Sequence, residues 1–311
     1  MIKKKIEDQE LLNHLDKLPE DGRQVALLAN GQARLIGLGG TKMVNQVRAN
    51  FNLGALETYV LGQAYIAAGL MASSIKGNDR IQLNIECGGP IGGISVEAWA
   101  CGAVRGFLKN SPIQVTKPIE NNDLSLVYGP GFISVTKILE GSRTPFTGQT
   151  MMQYGDLAHD LALYYNESEQ TPTMFSLSVQ FDKTGRVIGA GGLFLQALPD
   201  CTDTLLDQLQ TKSLSLPPLG IHLSKAESID NYLQANFSDF GIQMLSSEPI
   251  AFSCPCSRQN FSYFLSRLPQ DEKTDILKSD TFPLNLECLN CGTSYSFSKT
   301  EVQTLFTGEN K

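Results

Sequence analysis

From residue 80 the chain alternates. Arg80-Ile-Gln-Leu-Asn-Ile-Glu86 places an apolar side chain at every second position, the period of a strand covered on one face. The same period runs through residues 93–99 and 131–137, with Pro- and Asn-containing loops between, so antiparallel hairpins are expected. Residues 174–181 and 187–197 predict another strand pair around Asp182-Lys-Thr-Gly185, where Gly189, Gly191 and Gly192 allow a bulge or a close approach. Upstream, short apolar runs across residues 24–38 are broken at Asn30-Gly31, which reads as a hairpin with a tight turn.

Elsewhere the period is helical. It holds over most of residues 43–75, and over 154–166, where Leu157, Leu161 and Tyr164 share a face and Pro172 ends the element. Residues 203–210 and 224–237 also read as helices, joined by the Ser- and Pro-rich stretch 213–218. Their apolar stripes are thin, which predicts a low local opening energy. The result is an α+β fold in four parts. Residues 1–22 form an N-terminal extension, and 23–200 a mixed domain with an antiparallel-rich sheet and packed helices. Residues 201–253 form a metastable helical linker, and 254–311 a small cysteine-bearing domain.

Composition adds limits on function. Of 311 residues, 41% are hydrophobic and 18% charged, enough apolar surface for a core. A net charge of −7 gives no support to nucleic-acid or anionic-membrane binding. Met1-Ile-Lys-Lys-Lys-Ile6 starts like a signal peptide, but Glu7-Asp-Gln-Glu10 stands where the apolar stretch would have to be, so a cytoplasmic location is expected. The apolar window 55–75 contains Glu57 and Gln63, costly in hydrocarbon, and predicts a buried helix of a soluble domain.

Of the seven cysteines, Cys87, Cys101 and Cys201 stand alone and are expected to pack as small apolar residues. The other four form two pairs, Cys254-Pro-Cys256 and Cys288-Leu-Asn-Cys291, separated by residues 257–287. Four thiolates in two close pairs match the tetrahedral preference of Zn²⁺, so one zinc per chain is expected. Gly292 would let the backbone curl so that N–H groups face the sulfurs, with residues 261–267 and 271–278 packing as helices between the pairs and Tyr295 and Phe297 on a closing strand. A unit this small owes much of its folding free energy to the metal.

Two uses of such a site stay open. One is a purely structural zinc knuckle. The other is a redox switch, because each pair can close a short-range disulfide and the thiolates that hold zinc are also the oxidant-reactive form. Catalytic zinc is disfavoured, since the cysteines fill all four positions and His14, His159 and His222 are distant. A thioredoxin-like site is also disfavoured, because the second pair leads into a turn, not a helix. Residues 251–311 carry six basic and seven acidic side chains, which argues against a nucleic-acid-binding zinc ribbon. No Gly-x-x-x-x-Gly-Lys-Ser/Thr run occurs, so ATP-driven action is unsupported. Glu167-Ser-Glu-Gln170 is expected to be a turn in which Ser168 and Thr171 bond local backbone, and Trp99, Phe132, Phe175 and Phe194 are expected in the core. No nucleophile with a base is defined, so an enzyme of the main domain is the weaker alternative.

Several motifs together resemble the heat shock protein 33 family of bacterial redox-regulated 33 kDa chaperonins. They are Cys254-x-Cys256-Ser-Arg258, Cys288-x-x-Cys291-Gly292, Tyr165-Asn-Glu-Ser-Glu-Gln-Thr-Pro-Thr173 and Ala190-Gly-Gly-Leu-Phe-Leu-Gln-Ala-Leu-Pro199, with weaker echoes at residues 83–90, Val104-Arg-Gly106 and 131–135. The resemblance begins near residue 23, and Asn50-Phe-Asn-Leu-Gly54 lacks the histidine and proline often found there. It implies an ATP-independent holdase for unfolding client proteins, inactive while reduced and zinc-loaded. Oxidation would close Cys288 with Cys291 as the peroxide-responsive pair, and Cys254 with Cys256 once the linker opens, with zinc release and dimer formation.

Overall fold

The computed structural model describes residues 1–115, 123–279 and 281–307. Asp280, Glu309 and Lys311, which enter the C-terminal charge count, lie outside the described residues.

Within the segment read as an extension, Asp8 caps α1 (Gln9–Leu15) by accepting from the Glu10 and Leu11 amides. β1 (Gly22–Leu28) and β2 (Ala33–Gly39) form the expected hairpin, with Asn30 at φ 54° and Gly31 at φ 90°. The helical stretch that follows is two helices, α2 (Thr41–Phe51) and α3 (Ala55–Met71), because Asn52 takes the left-handed conformation at φ 54°. Then come β3 (Arg80–Cys87), β4 (Gly93–Trp99), β5 (Ala103–Leu108), the short α4 (Ser125–Tyr128), β6 (Gly131–Ile138), β7 (Phe146–Met151), α5 (Leu157–Glu167), β8 (Thr173–Phe181) and β9 (Val187–Ala197).

Two sheets sandwich α3. One has the order β10-β1-β2-β9-β8 and the other β11-β5-β4-β3-β6-β7, where β10 (Gln243–Pro249) and β11 (Ala251–Phe252) come late in the chain. α3 packs against strands of both sheets and is buried on nearly every side, as a helix apolar all round should be. Glu57 is only 6% exposed, and its Oε1 accepts the Ile113 amide at 2.7 Å. That bond offsets part of the cost of burying the carboxyl.

The segment between β9 and β10 folds as α6 (Asp203–Ser215), α7 (Leu219–Leu223) and α8 (Ile229–Phe237). Helix was expected from residue 224, but Ala226 sits at φ 62° and Ser228 caps α8 by accepting from Asn231. These helices cover the outer face of the first sheet. Leu209, Leu219, Leu233 and Phe237 pack on Leu28, Leu35, Leu193 and Leu195, while the opposite face carries Ile36, Leu38 and Phe194 toward α3. Close approach explains the β9 glycines: a Cβ at Gly189 would stand 2.1 Å from the Gly220 carbonyl oxygen.

Four expectations need correction. Residues 243–252, inside the segment read as helical, are strands paired with β1 and β5; their burial alternates only weakly, so little apolar period marks them. Phe132 is 47% exposed because it projects from the outer face of β6, whereas Phe175 and Phe194 are buried. Cys101 lies exposed in a turn, and Cys87 and Cys201 are only half-buried. In the turn after α5, Thr171 bonds the Glu169 carbonyl as expected, but the Ser168 hydroxyl meets Thr150 Oγ1 at 3.3 Å instead of backbone.

The C-terminal unit builds a small core of its own. α9 (Arg258–Ser266), α10 (Gln270–Lys278), the hairpin β12 (Leu284–Glu287) and β13 (Ser294–Phe297), and α11 (Lys299–Thr307) bury Leu265, Tyr295, Phe297 and Val302. Among the described residues no helix is long and apolar enough to cross a membrane.

Candidate metal centre

Each cysteine pair sits at the end of a strand. β11 pairs with core strand β5 in parallel, Ala251 against Ala103 and Phe252 against Val104, and the Ser253 amide extends the pairing to the Val104 carbonyl at 2.9 Å. Cys254 and Cys256 leave that strand directly. On the other side β12 delivers Cys288 into a turn closed by hydrogen bonds from the Cys291 and Gly292 amides to the Cys288 carbonyl, 3.1 and 2.8 Å. Gly292 holds φ +64°, a conformation disfavoured for residues with a Cβ. Its amide therefore closes the turn and does not face sulfur. The amides that do face sulfur are those of Cys256, toward Cys254, and Thr293, toward Cys291.

The fold brings all four predicted ligands together. Their sulfurs lie within 4.8 Å of one another, with Cys254 to Cys288 at 3.9 Å and Cys256 to Cys291 at 3.3 Å. A tetrahedral zinc with ~2.3 Å bonds separates its sulfurs by about 3.8 Å, so the cluster matches the size of such a site. Cys254, Cys288 and Cys291 are 5%, 7% and 0% exposed and join the main core cluster, so the cysteines dock on the mixed domain itself. None of the three histidines approaches: His14 meets the Ile188 carbonyl, His159 pairs with Asp156 and His222 with Glu227.

Cys254, Cys288 and Cys291 differ in how readily they give up a proton. Cys254 is pushed far below an ordinary thiol, because its sulfur is in hydrogen-bond contact with the Cys288 and Cys291 sulfurs and the Arg105 guanidinium stands 3.5 Å away. Cys288 is pushed up by the same bond with Cys254, and Cys291 rises to about 11. Four thiolates this close repel strongly unless a cation compensates them. A divalent metal supplies that compensation; sulfur ligands and tetrahedral spacing favour zinc.

Four contributors escaped the pattern of cysteines. Arg105 reaches the cluster from β5, fixed by Glu97 at 2.6 Å and lying over Trp99 with 5.0 Å to the ring centroid. Tyr295 directs its hydroxyl to the Cys256 sulfur at 3.3 Å and the Cys256 carbonyl at 3.1 Å. Thr293 Oγ1 accepts from the Cys291 thiol at 3.2 Å. Asn50, on α2, donates to the Cys291 carbonyl at 2.8 Å. Arg105 lies within the Val104-Arg-Gly106 echo, but nothing in one sequence links it to a cysteine 149 positions away.

A family model described as Hsp33 protein matches residues 21–298. The chain belongs to the Hsp33 family. Among curated members, the 33 kDa chaperonin of Desulforamulus reducens is 31% identical over 281 residues, covering 90% of this chain and 95% of the relative. That of Geobacter sulfurreducens is 31% identical over 276 residues, covering 88% and 91%. The crystal structure of the Thermotoga maritima 33 kDa chaperonin superposes with a TM-score of 0.83 at 26% identity, over 94% of this chain and 99% of that one. Family membership supports a chaperone and agrees with the expected α+β architecture and C-terminal cysteine cluster.

Proposed function

We propose that the chain is a redox-regulated, ATP-independent holdase of the cytoplasm that binds unfolding client proteins under oxidative stress. The observation that supports this reading is the position of the sulfur cluster: its first pair follows directly on β11, which lies along β5 of the mixed domain. With one zinc bound, the four thiolates hold the two loops together and the cluster serves as a lock. Peroxide converts Cys288 and Cys291 from two thiolates to one disulfide; two protons are taken up, the O–O bond breaks and two waters form. The same reaction at Cys254 and Cys256 follows once the linker opens, and all four donors are then lost to the metal. Sulfur contacts of 3.3 and 3.9 Å run between the loops, as expected of a shared tetrahedron, and the within-loop disulfides belong to the opened state of this proposal.

Opening has a physical consequence in the fold. β11 and β10 lead straight into the cluster from α6–α8, and Arg23, 1% exposed, ties β10 to the core through Glu248 and the Gly69 carbonyl. Loosening this run uncovers the outer sheet face with Leu28, Leu35, Leu193 and Leu195. An apolar face exposed only on demand suits a chaperone, because a permanent one would aggregate. Dimerisation of the oxidised chain through newly exposed apolar surface is part of the same proposal. The test couples zinc release, read with a chromogenic chelator, to light scattering of a thermally denatured client before and after peroxide. About one zinc per chain should appear as protection of the client appears; equal protection by reduced and oxidised protein would overturn the proposal.

A further inference from the structure

The first eight residues precede the stretch that the family model matches, yet the first two of them lie against the cysteine loops. Ile2 runs beside the Cys291 turn: its N–H donates to Thr293 Oγ1 at 3.0 Å, and its carbonyl accepts from that hydroxyl at 3.3 Å. Asn50 lies on the other side, fully buried near the end of α2. Its Nδ2 donates to the Ile2 carbonyl at 3.1 Å and the Cys291 carbonyl at 2.8 Å. Its Oδ1 accepts from the Lys4 amide at 3.1 Å and Gln46 Nε2 at 2.9 Å. A carboxamide has two donors and two acceptor sites, and here all four are used. Farther along, Asp8 and Glu10 both pair with Arg186 at 2.7 Å in the β8–β9 turn, which anchors the other end.

The segment before α1 has no strand or helix of its own, so these bonds carry its attachment, together with one from the Met1 ammonium to the Cys256 carbonyl at 2.7 Å and one from Gln46 Nε2 to the Lys4 carbonyl at 2.9 Å. Two of the four Asn50 bonds go to the segment and one to the cysteine turn. Displacing the segment would leave a buried carboxamide half-satisfied and the Thr293 hydroxyl without Ile2, beside the sulfur it contacts. Opening the Cys291 turn breaks the same network from the other side.

We propose that residues 1–8 are an intramolecular strap and Asn50 its positioning residue, together setting how readily the Cys288–Cys291 turn opens. This rests on reading the cluster as a metal-holding redox switch. The strap makes the oxidation threshold a property of this chain's own N-terminal segment.

The test uses full-length, zinc-loaded, reduced protein and follows transfer of zinc to a chromogenic chelator, first without oxidant and then with peroxide. Removal of residues 1–7 should accelerate transfer at least ten-fold, and Asn50→Ala should do the same. The two changes combined should accelerate it little more than either alone, because they break one network. Lys4→Pro, which removes the amide that donates to Asn50 while leaving Asn50 itself in place, should give an intermediate rate if Asn50→Ala does not fold. A synthetic peptide of residues 1–8 added to the shortened chain should slow transfer again, which a general loss of stability would not allow. Transfer from the shortened chain within two-fold of the full chain, or fully multiplicative effects, would overturn the strap. A separate client-aggregation arm keeps the two proposals apart. Faster zinc transfer without peroxide-induced protection supports the strap while removing the switch; protection with unchanged transfer does the reverse.

Discussion

Gly292 tests how the cysteine turn is seated. A Cβ built there would stand 2.9 Å from the Asn50 carbonyl oxygen and 3.3 Å from Phe51 Cδ1, whereas at Gly241, with nearly the same φ of +60°, it would meet open space. Gly292→Ala and Gly241→Ala therefore share the cost of a left-handed alanine, ~1–2 kcal/mol, and differ in the contact alone. The Asn50 carbonyl belongs to helix backbone and cannot swing aside. The alanine must push the Cys291 turn off α2, and overpacking of this kind costs ~1–3 kcal/mol. Metal sites tolerate only ~0.2 Å in their bond lengths, so this second cost should fall on zinc affinity. At ~1.4 kcal/mol per ten-fold change, Gly292→Ala should bind zinc roughly 10–100-fold more weakly than the unaltered chain. Gly241→Ala should keep the original affinity and lose only global stability. Equilibrium competition with a chelator, alongside urea unfolding of both variants, separates the two costs. Equal zinc affinities would refute the claim that the α2 backbone seats the turn.

Arg105→Leu removes the cation beside Cys254, so alkylation of that thiol in reduced, metal-free protein should require higher pH; an unchanged profile by mass spectrometry would rule out the guanidinium as its cause. Burial raises Asp21 to about 7 although the Lys42 and Met43 amides, at the start of α2, donate to it. A carboxyl with a raised folded value binds a proton more tightly folded than unfolded, so its contribution is complete below pH ~3.8 and is lost as pH rises through about 7. At ~1.4 kcal/mol per pH unit that loss is at most about 4 kcal/mol, and Asp21→Asn should flatten the fall in urea midpoint between pH 4 and 8. Phe237→Ala empties a fully buried site under α8 at a cost of ~3–5 kcal/mol. Hydrogen exchange should accelerate across residues 203–249 while α3 keeps its protection, and acceleration spread evenly through the chain would show that the helices do not open as a unit.

The cysteine cluster and most of the sheet strands were legible because each depends on local spacing. Period two over β3, β4 and β6 reflects one buried face, β8 and β9 are marked by their apolar runs and the turn between them, and the all-apolar α3 could lie only inside a core. β5 alternates in burial but with β7 is only six residues long, and β10 and β11 owe their pairing to partners more than 100 residues away, so no extended local period marks them. Burial on an outer sheet face is equally invisible: Phe132 alternates correctly with its neighbours but lies on the open side. The second layer around the sulfurs was the least legible part. Arg105, Asn50 and the N-terminal segment reach the cluster only through tertiary packing, and their residue types are ordinary elsewhere.

β11 is two residues long, and it is the run of chain by which α6–α8 and β10 connect to the sulfurs. On the proposed reading, that makes the traffic two-way. Binding free energies linked through one equilibrium are reciprocal, so if metal loss favours client binding by some factor, a bound client weakens metal binding by the same factor. An unfolding protein in excess would then act on the cysteines as an oxidant does, lowering their hold on zinc before any sulfur has reacted.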